Sequence, residues 1–198
     1  FGAVNELGVF HMSDSGLKEV SNPSSILLSR HTQPVTGSVV AATLEGSRPF
    51  LVEVQALVDA QPTSSPRRLT VGLEQNRLAM LLAVLNKHGR ISSGNFDIFA
   101  NIVGGMRVTE TGADVPFLFA ILSSLTDKCF PKDTVCFGEI GLAGEIRPVK
   151  GGTERITEAA KQGFRRAIVP KANMPRQRVP NISVDSIEKI GDLLEVFN

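Results

Sequence analysis

Tryptophan and tyrosine are both absent from this 198-residue chain, and eleven phenylalanines are its whole complement of benzenoid rings. That removes the usual anchors for sugars and stacked bases, and the phenylalanines suit core filling instead. Cysteine is nearly as scarce, with only Cys129 and Cys136 present, and the three histidines (His11, His31, His88) are scattered. Two thiols without neighbouring histidines do not complete a tetrahedral zinc site, so they read as reduced thiols of a reducing cytosol. No apolar run approaches the length of a membrane span, and no signal-type segment opens the chain, so no membrane partner is expected. Neither sign of charge dominates: 21 Lys+Arg against 20 Asp+Glu leave a net charge of +1. Contact with nucleic acid would therefore need a local basic patch rather than a global field. Gly-Lys-Ser/Thr does not occur, so no phosphate-binding P-loop is encoded. The first residue is Phe rather than Met, which reads as a piece of a longer protein.

Hydrophobic residues at 42% and charged residues at 21% describe a globular chain. Residues 4–20 alternate about a turn at Asp14-Ser15-Gly16, the pattern of a β-hairpin. Asn22-Pro23-Ser24 offers a further turn, with Ser24 or Ser25 as a cap. Strands are expected at residues 39–44, 50–54, 96–103, 134–137, 145–149 and 166–169, and the most loop-like stretch is 61–66. Leu73, Arg77, Leu78, Leu81, Leu82 and Leu85 recur at helical spacing, with Gly89 placed as the C-terminal cap. Residues 113–125 predict a second helix, apolar all round and so buried, with Pro116 in its first turn. Two more helices are expected, one capped by Thr153 and ended by Gly163, the other over 186–197. The order implies one domain over 1–198, mostly β over 1–60 and α/β over 66–198, with a mixed sheet and crossover helices preceded by an N-terminal β-rich hairpin segment.

Several features admit a chemical reading and a plain one. Gly104-Gly105 and Gly151-Gly152 could hold a phosphate on exposed amides or simply make tight turns. Ser123 and Ser124 could be nucleophiles with Lys150 or Lys161 as base, or hydroxyls bonded back to their own helix. Glu110, Asp114 and Glu139 could act in proton transfer or serve as caps and ion pairs. The clustered cations Arg67, Arg68, Arg77, Lys87, Arg90 and Arg107 are the candidates for a nucleic-acid face.

Three stretches carry more than generic pattern: Pro66 to Leu78 (PRRLTVGLEQNRL), Asn101 to Thr111 (NIVGGMRVTET) and Phe137 to Val149 (FGEIGLAGEIRPV). With Phe1-Gly2 and the run NELGVF at 5–10, they resemble the C-terminal, Lon-protease-like domain of the bacterial RadA (Sms) DNA repair family over essentially the whole chain. The third stretch is also similar to the Lon peptidases, which use a serine nucleophile and a lysine base. Counted without gaps from Leu125-Thr126 and from Gly138-Glu139, the resemblance places the nucleophile position at Gly112 and the base position at Arg155. Glycine offers no nucleophile and a guanidinium keeps its proton at working pH, so no catalytic residue is expected in this chain. The resemblance implies that the chain is a non-catalytic scaffold and DNA-backbone-binding domain. It implies no cofactor here, and ATP with magnesium and a zinc-binding motif in the part that precedes it in such proteins. The implied partners are branched or single-stranded DNA recombination intermediates, copies of itself in a ring (hexameric), and a recombinase of the RecA type, all in the bacterial cytoplasm. A protein-interaction ring without DNA contact is an alternative, as is a peptidase with a dyad relocated to Ser124 and Lys161.

Overall fold

A computed structural model describes residues 10–20, 24, 28, 33–60 and 65–197. The expected turns and caps at 22, 23 and 25, His31, and residues 4–9 and 61–64 lie outside the described residues. Hairpin strands β1 (Phe10–Ser13) and β2 (Gly16–Glu19) pair antiparallel as a two-stranded sheet of their own. The main sheet contains β3 (Ser38–Glu45), β4 (Arg48–Ala60), β5 (Arg68–Val71), β6 (Phe96–Ile102), β7 (Thr134–Cys136), β10 (Arg166–Pro170) and β11 (Ser183–Ile187). Their order is β11-β10-β7-β3-β4-β6-β5. β11, β10, β7 and β3 run parallel, β4 is antiparallel to both neighbours, and β5 is parallel to β6. β3 and β4 thus lie inside the same sheet as the later strands, which joins the β-rich first third to the α/β remainder.

Helices cover both faces, which is why the central strands read as nearly continuous apolar runs. On one side α1 (Gln75–Gly89) and α2 (Asp114–Thr126) bury Leu78, Leu81, Leu85, Phe117 and Ile121 against Val39, Ala41, Val52, Val54, Ile98 and Ile102. On the other, α3 (Gly152–Lys161) sets Ile156 and Ala159 on Ala42, Leu51, Val135, Phe137, Ala167 and Val169. Residues 114–123 of α2 are buried without exception, as an all-round apolar helix requires.

The structure corrects four local expectations. Gly89 is the last residue of α1, and Arg90 takes the left-handed cap at φ 56°. Gly151, at φ 69°, is the N-cap of α3, so Thr153 lies inside that helix. Ile146–Arg147 (β9) pairs with Glu139–Ile140 (β8) in a small sheet apart from the main one. Residues 183–187 form edge strand β11 rather than helix, and only Ile190–Glu195 (α4) is helical. The propensities of Ser-Val-Asp-Ser-Ile decide neither state; parallel pairing to β10 does, reinforced by the Arg166–Asp185 ion pair.

Candidate functional site

The two positions that the resemblance assigned to a catalytic pair come together at the ends of β3 and β7. Gly112 precedes α2, where its carbonyl accepts the Gly138 N–H at 2.9 Å. Arg155 reaches up from α3 and is completely buried. A Cβ on Gly112 would lie 3.2 Å from Arg155 Nη1 and 3.2 Å from Glu110 Oε2. The guanidinium makes four hydrogen bonds: Nη1 donates to the Ala42 carbonyl (2.6 Å) and Glu110 Oε1 (2.8 Å), Nη2 to Glu110 Oε2 (2.5 Å), and Nε to the Lys150 carbonyl (2.9 Å). It also lies over the Phe137 ring, 5.4 Å from the centroid. Glu110 completes the cluster by accepting the Leu44 N–H at 2.7 Å. A forked, permanently charged group that binds a carboxylate bidentately is a structural tie between β3, the turn before α2, and α3.

A second buried pair stands beside it. Asp114, at the start of α2, binds Arg77 of α1 bidentately and accepts the Ile140 N–H at 2.9 Å. Burial pushes the Asp114 carboxyl up, against the pull of Arg77 and Ile140, while the hydrogen bond to Asp114 holds Arg77 in its charged form. Near the surface, Thr111 donates to Glu139 Oε2 at 2.6 Å, and Arg147 pairs with Glu145 at 2.8 Å. Glu110 and Asp114 therefore serve as ion-pair partners, and Glu139 accepts from Thr111 and makes a longer ion pair with Arg147 at 4.0 Å.

The serines do not bond back to their helix as expected. Ser123 Oγ accepts the Gly37 N–H (2.9 Å) and donates to the Lys128 carbonyl (2.6 Å), while Ser124 Oγ accepts the Val58 N–H (2.9 Å). They bolt α2 to the sheet; the back-bond expected of them is made instead by Thr126 to the Leu122 carbonyl. Gly104 and Gly105 take left-handed φ of 84° and 69° in a single tight turn.

The candidate cations divide into two groups. Arg67, Arg68, Lys87 and Arg90 lie where β5 begins and α1 ends; Arg77 and Arg107 lie toward the start of α1. Its fifteen residues span about 22 Å. Sequence grouping therefore overstated their proximity. Arg68 donates to the Phe96 (2.7 Å) and Ser93 (2.9 Å) carbonyls, and Arg77 is held by Asp114. Arg67 pairs with the buried Asp97 at 2.6 Å and lies over Phe99, yet its side chain remains largely exposed. Lys87, Arg90 and Arg107 are exposed and carry no ion pair among the described residues. A basic surface not singled out from the sequence lies at the far edge of the sheet. There Arg165 and Arg178 line a cavity of about 570 Å³ bounded by Met174, Val179 and Ser183, with no carboxylate among the described residues of its wall. The signal was present in the spacing of Arg165, Arg176 and Arg178 across a proline-rich loop.

Among the described residues, no helix is long and apolar enough to cross a membrane. The chain is 58% identical over 198 residues to a DNA repair protein RadA of Escherichia coli (strain K12), covering all of this chain and 43% of that protein. Similar RadA proteins are found in Pseudomonas aeruginosa (55% over 197 residues, all of this chain and 44% of the relative) and Aquifex aeolicus (46% over 197 residues, again all of this chain and 44%). The chain thus spans less than half the length of these relatives and matches their C-terminal region. Residues 78–173 also match the family described as subunit ChlI of Mg-chelatase.

Proposed function

Because the chain corresponds along its whole length to the C-terminal, Lon-protease-like domain of RadA-type DNA repair proteins, we propose that it serves DNA repair as a non-catalytic scaffold that assembles into a ring and holds the DNA phosphate backbone. The observation that carries this reading is the 55–58% identity, over the whole of this chain, to part of proteins named for DNA repair. The Gly112–Arg155 pair supports the non-catalytic part, since neither residue supplies a nucleophile or a base. The ATPase chemistry, with ATP and magnesium, and a zinc-binding motif belong to the portion that precedes this chain in longer relatives. DNA recombination intermediates, a RecA-type recombinase and further copies of the chain are its partners in the bacterial cytoplasm.

Phosphate contact falls to Lys87, Arg90 and Arg107, with the exposed part of Arg67, because Arg68 and Arg77 spend their guanidinium groups inside the fold. Separate weak patches suit a ring, where repetition multiplies backbone contacts without reading bases. The alternative of a protein-interaction ring draws on the net charge of only +1. A relocated Ser124–Lys161 dyad is opposed by the Ser124 oxygen, which is occupied by the Val58 N–H.

Light scattering after size-exclusion chromatography, with and without a DNA duplex at low salt, tests the reading. A higher oligomer whose mass rises with DNA supports it. A higher oligomer indifferent to DNA favours the protein-interaction ring, and a monomer indifferent to DNA overturns the proposal.

A further inference from the structure

Strand β11 (Ser183–Ile187) ends the main sheet on one side, and among the described residues β10 alone pairs with it. Ser183 turns its N–H inward to the Arg165 carbonyl at 2.8 Å. Residues alternate along a strand, so Val184 and Ser186 direct their N–H and C=O groups outward, where no described strand meets them. The cavity of about 570 Å³ opens beside the first residues of this edge. Part of its wall is apolar: Val179 and Ile182 are buried, and Val184 packs with them on the cluster beneath α3. Arg165 and Arg178 line the same cavity, both are exposed, and neither carries an ion pair among the described residues.

Unpaired main-chain groups, an apolar hollow and two guanidinium groups without an acid thus meet at one place. We propose that this edge takes an extended acidic peptide segment of a partner protein. The segment adds a strand to β11, seats an aliphatic side chain in the hollow and lays carboxylates on Arg165 and Arg178. An open edge offers main-chain hydrogen bonds to any strand, while the pockets beside it select the side chains. A guanidinium fork matches a carboxylate bidentately. Residues two to either side of the seated side chain share its face, which is where acidic residues would meet the arginines. A free anion would touch the arginines and leave the apolar wall unused. Nucleic acid fits less well, since no aromatic ring lines the cavity to stack a base. A second copy of β11 would bring one carboxylate, Asp185, which is already paired with Arg166. The site shares no residue with the cations assigned to phosphate contact.

Fluorescence anisotropy of a labelled peptide of aspartates around one central leucine, titrated with the full chain, tests it. Saturable binding is expected, at least ten-fold tighter than that of a polyaspartate peptide of equal length. Arg165→Ala/Arg178→Ala should weaken it at least ten-fold and leave the thermal unfolding midpoint in place, since both residues are exposed. In the natural chain, saturating peptide should slow amide exchange at Val184 and Ser186 at least ten-fold. Absence of saturable binding overturns the proposal, as do equal affinity for polyaspartate, equal affinity in the double variant, or unchanged exchange along β11. A DNA duplex whose affinity falls ten-fold in the double variant, while the peptide does not bind, would make the arginines a nucleic-acid site and overturn it too.

Discussion

A Cβ on Gly112 would touch Nη1 of Arg155 at 3.2 Å. Two positions far apart in sequence, matched separately to a serine nucleophile and a lysine base, are thus neighbours in the fold. Arg155 is held there by an ion pair with Glu110 that ties α3 to β3.

That ion pair makes Arg155 a structural residue with a measurable weight. Arg155→Ala leaves the Glu110 carboxylate partly buried without its partner and is expected to cost about 3–5 kcal/mol in denaturant unfolding. A loss under about 1 kcal/mol would mean the pair is no more than an exposed salt bridge. Gly112→Ser, with its new Cβ tight against Arg155 and Glu110, is expected to cost about 1–3 kcal/mol. The serine should hydrolyse no unfolded protein substrate, since the guanidinium cannot accept its proton.

Asp97 gives the chain a pH signature. The Arg67 N–H (2.7 Å) is the largest influence holding its carboxyl below 3.8, and the Arg67 guanidinium adds to it against the opposing effect of burial. A depressed carboxyl stabilises the fold above its unfolded value and loses that contribution as pH falls through the folded one. Thermal unfolding of the natural chain and Asp97→Asn should therefore differ most above pH of about 4 and converge below it. A gap that is constant from neutral pH to pH of about 2 would contradict this.

The two cysteines should separate cleanly. Cys129 is exposed, whereas Cys136 is buried in β7 and burial pushes its thiol well above its ordinary range. A maleimide or disulfide reagent at neutral pH is expected to label Cys129 in the folded chain and both thiols after unfolding. Labelling of Cys136 at the rate of Cys129 would show that the β7 core opens readily.

Legibility in the sequence followed burial. The heptad-like run from Leu73 to Leu85 and the all-apolar 113–125 marked α1 and α2 to within two residues, because both are fixed by one dominant periodicity. Strand β11 was not legible, since Ser183 to Ile187 carries little apolar pattern and owes its state to the neighbouring β10. Caps failed for a related reason. Arg90 adopts a left-handed φ although Gly89 stands next to it, because the αL residue is set by where the last turn closes on Leu85. At the site, the resemblance assigned Gly112 and Arg155 separately, and only the folded chain shows that they lie together and that Glu110 pairs with Arg155. Charge clustering along the sequence could not tell Arg68 and Arg77, whose donors are spent on internal acceptors, from Lys87, Arg90 and Arg107, which are exposed.

The most direct test of the account is the salt dependence of duplex binding by the natural chain and by Lys87→Ala/Arg90→Ala/Arg107→Ala, followed by fluorescence anisotropy. Backbone binding predicts that log affinity falls linearly with log salt, and that each lost phosphate contact reduces the slope by about 0.9. The triple variant should bind more weakly and with a flatter slope, while Arg68→Ala should leave the slope unchanged. Equal affinity and equal slope for the natural chain and the triple variant, or no binding by the natural chain at low salt, would contradict it.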